Sequence, residues 1–100
     1  MGLKVVVIGS KPFVSGFRLS GVGGIEVVTP EELVKEVERN IVREDVGLII
    51  VDEDLSKHVR DRINRIRAER AVPLIYELSG IRLEKEKIDY RAALRKILGV

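Results

Sequence analysis

Two stretches of the chain are apolar on consecutive positions, and they narrow the fold more than any other feature. Leu3-Lys4-Val5-Val6-Val7-Ile8-Gly9 and Leu48-Ile49-Ile50-Val51 are strand-sized runs rich in β-branched residues. A strand with one wet face alternates apolar and polar residues; a strand without alternation is covered on both faces, as in a parallel sheet. Ile25-Glu26-Val27-Val28 predicts a short further strand, and Pro73-Leu74-Ile75-Tyr76-Glu77-Leu78 a fourth, with proline at its tolerated first position. Helical spacing fills the intervals. Residues 12–22 offer Pro12 for a first turn and Val14, Phe17 and Leu19 for one face, although Gly16 weakens the helix. Thr29-Pro30-Glu31-Glu32 reads as a capping box ahead of Leu33, Val34, Val37, Ile41 and Val42. Leu55, Val59, Ile63 and Ile66 mark another helix, with Asp52 or Asp54 as its cap. Strands alternating with helices require right-handed βαβ units. The expected fold is therefore α/β: a four-stranded, mainly parallel sheet flanked by helices, plus a C-terminal helix.

One hundred residues suffice for a single core. The chain is 45% hydrophobic and 34% charged, which excludes a disordered segment. No apolar run approaches the roughly 18 residues of a membrane span. The N-terminal stretch lacks the pattern of a secretory leader, so none is expected. The absence of cysteine removes disulfides, thiolate metal sites and cysteine nucleophiles, and a single histidine removes multi-histidine metal centres. The net charge of +2 divides into −1 for residues 1–50 and +3 for residues 51–100, too small a bias to mark nucleic-acid binding.

After Leu78 the pattern changes. Residues 1–78 are expected to form the α/β domain, 79–83 a linker opened by Ser79-Gly80, and 84–99 one C-terminal helix. Its apolar positions are Ile88, Ala92, Leu94, Ile97 and Leu98, and its charged ones include Lys85, Lys87, Arg91, Arg95 and Lys96. A helix of this length, roughly 23 Å, is marginal alone in water. Its stripe must be covered, either by its own sheet or by a partner.

Few residues suggest chemistry. Gly9-Ser10-Lys11-Pro12-Phe13-Val14-Ser15-Gly16 follows a strand but lacks the Lys-Ser/Thr end of a phosphate loop. Gly21-Val22-Gly23-Gly24 precedes a strand instead of following one, so both glycine segments read as turns. Asp52-Glu53-Asp54 ends the third strand, where open α/β sheets bind ligands. A receiver-like signalling domain phosphorylated at Asp52 or Asp54 is the alternative this cluster raises. Receiver domains also carry an acidic pair after the first strand and a lysine after the last, and Ser10-Lys11 and the interval before Lys85 offer neither. Helix capping is the favoured role. The helix beginning at Leu55 carries Lys57, Arg60, Arg62, Arg65, Arg67 and Arg70 against Asp61 and Glu69. It reads as a solvated face, a contact for an acidic protein, or an RNA face without aromatic platforms for bases. His58 reads as a surface residue, and Tyr76 and Tyr90 as packing residues. No nucleophile, base and oxyanion site assemble, so no catalytic residue, metal site or cofactor is expected.

Val5-Val6-Val7-Ile8-Gly9 followed by Gly16-Phe17-Arg18-Leu19-Ser20-Gly21-Val22 resembles the opening of the F subunits of the archaeal and vacuolar-type rotary ATPases. Gly47–Leu55 and Val72–Leu78 are similar to that family's third strand, acidic turn and proline-led fourth strand. The chain departs from the family where Asp52 replaces a frequent Ser or Thr and Leu78-Ser79 a frequent Ile-Pro. The resemblance implies a Rossmann-like domain and a non-catalytic subunit of the central rotor shaft, bound to the coiled coil of the D subunit inside the catalytic A and B head. It implies coupling of ATP hydrolysis or synthesis to ion translocation, such as hydrogen ion transport, and a capacity to modulate ATPase activity. It places the protein at the cytoplasmic side of the cell membrane, touching the membrane only through the complex. On this reading the C-terminal helix is the main shaft contact, through Ile88, Arg91, Ala92, Leu94, Arg95, Ile97 and Leu98. Arg18 either joins that contact or pairs with a carboxylate of its own domain.

Overall fold

The elements run β1 (Lys4–Gly9), α1 (Lys11–Arg18), β2 (Gly24–Glu26), α2 (Pro30–Ile41) and β3 (Val46–Asp52). They continue with α3 (Glu53–Ser56), a 3-10 turn (Lys57–Val59), α4 (Arg60–Glu69), β4 (Leu74–Leu78), α5 (Gly80–Lys85) and α6 (Tyr90–Leu98). The structure is a computed structural model and describes residues 3–99. Its four strands form one sheet in the order β2-β1-β3-β4, with every pairing parallel. This is the α/β architecture that the unalternating runs require.

Side chains of successive strand residues leave opposite faces of the sheet. On one face stand Val6 and Ile8 of β1, Ile49 and Val51 of β3, and Ile75 of β4. Leu33, Val34, Val37 and Ile41 of α2 cover them, together with Val59 and Ile63 from the segment after β3. On the other face stand Val5, Val7, Leu48 and Ile50. Phe13, Val14 and Phe17 of α1 meet them, with Tyr90, Leu94 and Ile97 of α6.

The capping box at α2 forms as expected. The Thr29 hydroxyl accepts from the Glu32 N–H at 3.1 Å, and the Glu32 carboxylate accepts from the Val28 N–H at 3.3 Å. Asp52, not Asp54, caps α3, accepting the Asp54 N–H at 3.1 Å.

Four boundaries differ from expectation. The helix expected over 12–22 stops at Arg18, because Leu19–Gly21 form a turn in which Gly21 has a φ of 86°. The second strand is Gly24–Glu26 and excludes Val28, which turns toward the Thr29 cap. The helix beginning near Leu55 is interrupted by a 3-10 turn. The C-terminal segment changes most. Residues 79–83 are not a linker: the Ser79 hydroxyl accepts the Arg82 N–H at 3.0 Å, α5 starts at Gly80, and Leu83 is buried. Nor is 84–99 one helix. Lys87 takes a left-handed φ of 56°, and the Ile88 N–H turns back to the Leu83 carbonyl at 2.9 Å. Asp89 then caps α6, accepting the Ala92 N–H at 2.6 Å. Two short polar caps, Ser79 and Asp89, restart the chain where hydrophobic periodicity suggested continuity.

Candidate partner interface

The stripe that needed a cover finds one in its own domain. Tyr90, Ala93, Leu94 and Ile97 recur at helical spacing, and α6 lays them on the sheet face shared with α1. Tyr90 sits edge-on to Phe17 with ring centroids 4.9 Å apart, and to Phe13 at 6.1 Å. Gly16 makes this possible, since a Cβ there would overlap the Tyr90 ring. The Gly16-Phe17 pair is therefore the seat of the C-terminal helix. Burial raises the Tyr90 hydroxyl pKa, and the nearby carboxylates of Asp52, Glu84 and Asp54 push it further the same way. The neutral phenol is the form this seat accepts.

Docking divides the residues expected to bind a partner. Leu94 and Ile97 turn to the protein's own core, and Ala92 is half-buried. Ile88 and Leu98 remain 40% and 49% exposed, and Arg91 and Arg95 face outward. Among the described residues, Arg91, Arg95 and Lys96 make no ion pair. Arg18 lies 3.7 Å from Glu26 of its own domain, in an exposed pair of small energetic weight. The geometry thus gathers Ile88, Arg91, Arg95 and Leu98 on the outside of α6 and its approach, and turns Leu94 and Ile97 away from them.

Sequence reasoning missed Ala93 as a buried contact and undervalued Tyr90 as the anchor of α6. The spacing of Tyr90, Leu94 and Ile97 was the available signal. It also missed that Tyr76, expected to pack, stands 45% exposed on β4 beside Leu74 at 63%. No signal marks these two, because Leu74-Ile75-Tyr76 is apolar toward both faces.

The acidic cluster lies at the crevice between the carboxyl ends of β1 and β3, where the strand order reverses. A groove of about 280 Å³ there is lined by Ser10, Phe13, Asp52, Asp54 and Tyr90, among others. Asp52 is only 2% exposed. One of its oxygens accepts the Ser10 N–H and the other the Asp54 N–H, both at 3.1 Å. Asp54 accepts the Ser79 hydroxyl at 3.3 Å. These carboxylates tie β1, α3 and α5 together, which is the capping role.

Three of the six basic residues of the segment that carries α4 find carboxylates within the domain. Arg62 meets Glu31 at 2.7 Å, and Arg60 and Arg67 converge on Glu77 at 3.3 and 3.6 Å. The Ser56 hydroxyl also donates to Glu77. Burial alone would raise the Glu77 pKa. The Ser56 hydroxyl and the two guanidiniums outweigh it and hold the carboxyl below its ordinary value. Ion pairing within the fold accounts for Arg60, Arg62 and Arg67. His58 is exposed, as expected.

Among the described residues no helix is long and apolar enough to cross a membrane. The family model for the ATP synthase (F/14-kDa) subunit matches residues 5–93. The F subunit of the A-type ATP synthase of Methanothermobacter thermautotrophicus is 33% identical, over 100% of this chain and 96% of its own length. Its counterpart in Haloferax volcanii is 40% identical over 80% of this chain and 79% of its own. The crystal structure of the V-type ATP synthase F subunit of Archaeoglobus fulgidus superposes with a TM-score of 0.60 at 28% identity, covering 76% of this chain and 98% of that one. Family model, relatives and fold coincide, and the chain belongs to the F subunits of the A/V-type ATP synthases.

Proposed function

We propose that the protein is a non-catalytic part of the central rotor shaft, bound to the D subunit and turning with it inside the A and B head. In this role it carries torque between ATP hydrolysis or synthesis and ion translocation, and it modulates ATPase activity. It sits peripherally at the cytoplasmic side of the membrane and touches the membrane only through the complex. The observation that carries the contact is α6: a docked helix whose outward side holds Arg91 and Arg95, which make no ion pair among the described residues, next to exposed Leu98, with Ile88 at its approach. Such a side suits a helix of a coiled coil, met by helix-against-helix packing and charge. Leu94 and Ile97 serve the contact by seating α6, and Ala92 and Arg18 extend it.

The test is capture of the full chain on an immobilised D subunit, wild type beside Arg91→Glu/Arg95→Glu/Leu98→Asp. These positions are exposed, so the fold survives their replacement. Truncation at Leu78, or aspartate at Leu94 and Ile97, would strip or split the second core and confuse binding with folding. Capture of the wild type and loss by the triple variant supports the contact. Equal capture of both moves the contact elsewhere, and capture of neither removes the shaft role. Hydrolysis by an A–B–D assembly, measured with and without the chain, tests modulation; an unchanged rate refutes it.

A further inference from the structure

The strand β1 is longer than the strand that borders it. It has six residues against three in β2, and the pairing reaches only Val7, Ile8 and Gly9. Lys4–Val6 therefore form an open edge on that side, about 10 Å of strand. Successive residues of a parallel strand turn their backbone groups to opposite neighbours. The Lys4 N–H turns to the β3 side and donates to the Asp45 carbonyl at 2.8 Å, whereas the Gly9 carbonyl turns to the β2 side and accepts the Val27 N–H at 2.8 Å. Val5 stands four residues before Gly9, so its N–H and C=O also face the line of β2. Among the described residues no backbone bond joins Val5 to the 20–23 loop. Where β2 would continue lies a groove of about 500 Å³, with Val5, Val22 and Ile25 as apolar walls and Lys4 and Arg43 as its charged residues. We infer that this notch is a strand-addition site for an extended segment of a protein partner, apolar at its centre and acidic at the end beside Lys4 and Arg43.

The backbone specifies the form of the occupant. An N–H and a C=O left open on one strand residue are answered together by an extended chain, and a helix, whose own groups are bonded internally, answers neither. The walls specify its centre. Val5 and Val22 pack with the α1–α6 core and Ile25 with the α2 core, so a strand laid between them meets apolar side chains on both faces. Charge specifies its end. Lys4 and Arg43 both line the groove, and they share one carboxylate, Asp45, at 3.4 and 2.8 Å. Two cations against one acid leave a net positive charge for a carboxylate of the partner. The strand β2 stands in line with the notch, so a short segment fits there and the long edge of a second copy's sheet does not. The groove shares no residue with α6 or its approach, and the inference is independent of the shaft reading.

The test titrates the full chain, labelled with nitrogen-15, with three acetylated peptides followed by NMR. The peptides share a valine–isoleucine–valine centre and end in two glutamates, two glutamines or two lysines. The notch predicts that the glutamate peptide binds about tenfold or more tighter than the lysine peptide, by an advantage that falls as salt rises. Its binding should shift the Val5 amide and slow the exchange of that amide with solvent. Lys4→Glu/Arg43→Glu, at two exposed positions, should reverse the order of the peptides, with circular dichroism to confirm the fold. Equal affinity for all three peptides, or binding that leaves the Val5 amide exchanging freely, overturns the proposal, as does no binding by any of them. Sedimentation of the chain alone is the further check: a dimer that Lys4→Glu/Arg43→Glu converts to monomer would give the notch to a second copy and overturn the proposal.

Discussion

The two faces of the sheet are built from the same kinds of strand residue and finished differently. The face beneath α2 and α4 is closed: Ile8, Leu33, Val37, Ile49, Val51 and Ile63 have no measurable exposure. The face beneath α1 and α6 is closed over β1 and part of β3 and open over β4. The closed face holds the domain together. The open face leaves Leu74 and Tyr76 of β4 exposed.

This contrast can be broken by paired substitutions. Ile49→Ala on the closed face should lower unfolding stability by about 2–5 kcal/mol. Tyr76→Ser on the open face should change it by no more than about 0.5 kcal/mol, as at an ordinary surface site. Denaturant melts measure both, and equal losses would mean that the strip over β4 is core after all. The seat of α6 comes next. Gly16→Val forces a side chain into the Tyr90 ring and should cost about 1–3 kcal/mol by overpacking. Its mark is hydrogen exchange: amides of residues 90–98 should lose protection while those of β1 and β3 keep theirs. Retained protection over 90–98 would show that Tyr90 is not the anchor.

Smaller effects sharpen the account of the acidic cluster. Asp52→Ala leaves the Ser10 and Asp54 N–H groups without their acceptor and should cost about 1–3 kcal/mol. Acetyl phosphate with Mg²⁺ should leave the wild type unmodified, since both Asp52 oxygens are engaged; an acid-stable, base-labile adduct would restore the receiver alternative. Glu77 gives the smallest effect, below about 1 kcal/mol for a partly exposed pair. Its folded pKa lies below the ordinary 4.5, so its contribution is present above 4.5 and lost as pH falls through the folded value. Glu77→Gln should flatten that acid limb of stability and leave the neutral range nearly unchanged; an acid limb as steep as the wild type's would contradict the pairing.

Much of the fold could be read in the sequence because its signals are local. Val5–Ile8 and Leu48–Val51 announce strands covered twice, and Thr29-Pro30-Glu31-Glu32 announces a helix start that forms atom for atom. The C-terminal segment was harder. Its apolar spacing runs through the break at Lys87, so periodicity alone joined α5 to α6; the caps Ser79 and Asp89 carried the boundary. Which surface would cover Leu94 and Ile97 depended on the gap above Gly16, a long-range fit no local pattern encodes. The open strip was hidden for the same reason. Leu74 and Tyr76 look like any strand residues until the end of α6 is known.

The chain contains no cysteine, so one introduced thiol reports on one place. Leu98→Cys on the outward side of α6, beside Val42→Cys at the exposed end of α2, can be labelled with a maleimide alone and in complex with the D subunit. If the outward side of α6 is the shaft contact, Leu98→Cys becomes protected in the complex while Val42→Cys labels at its free rate. Undiminished labelling of Leu98→Cys in a complex that demonstrably forms would contradict the account.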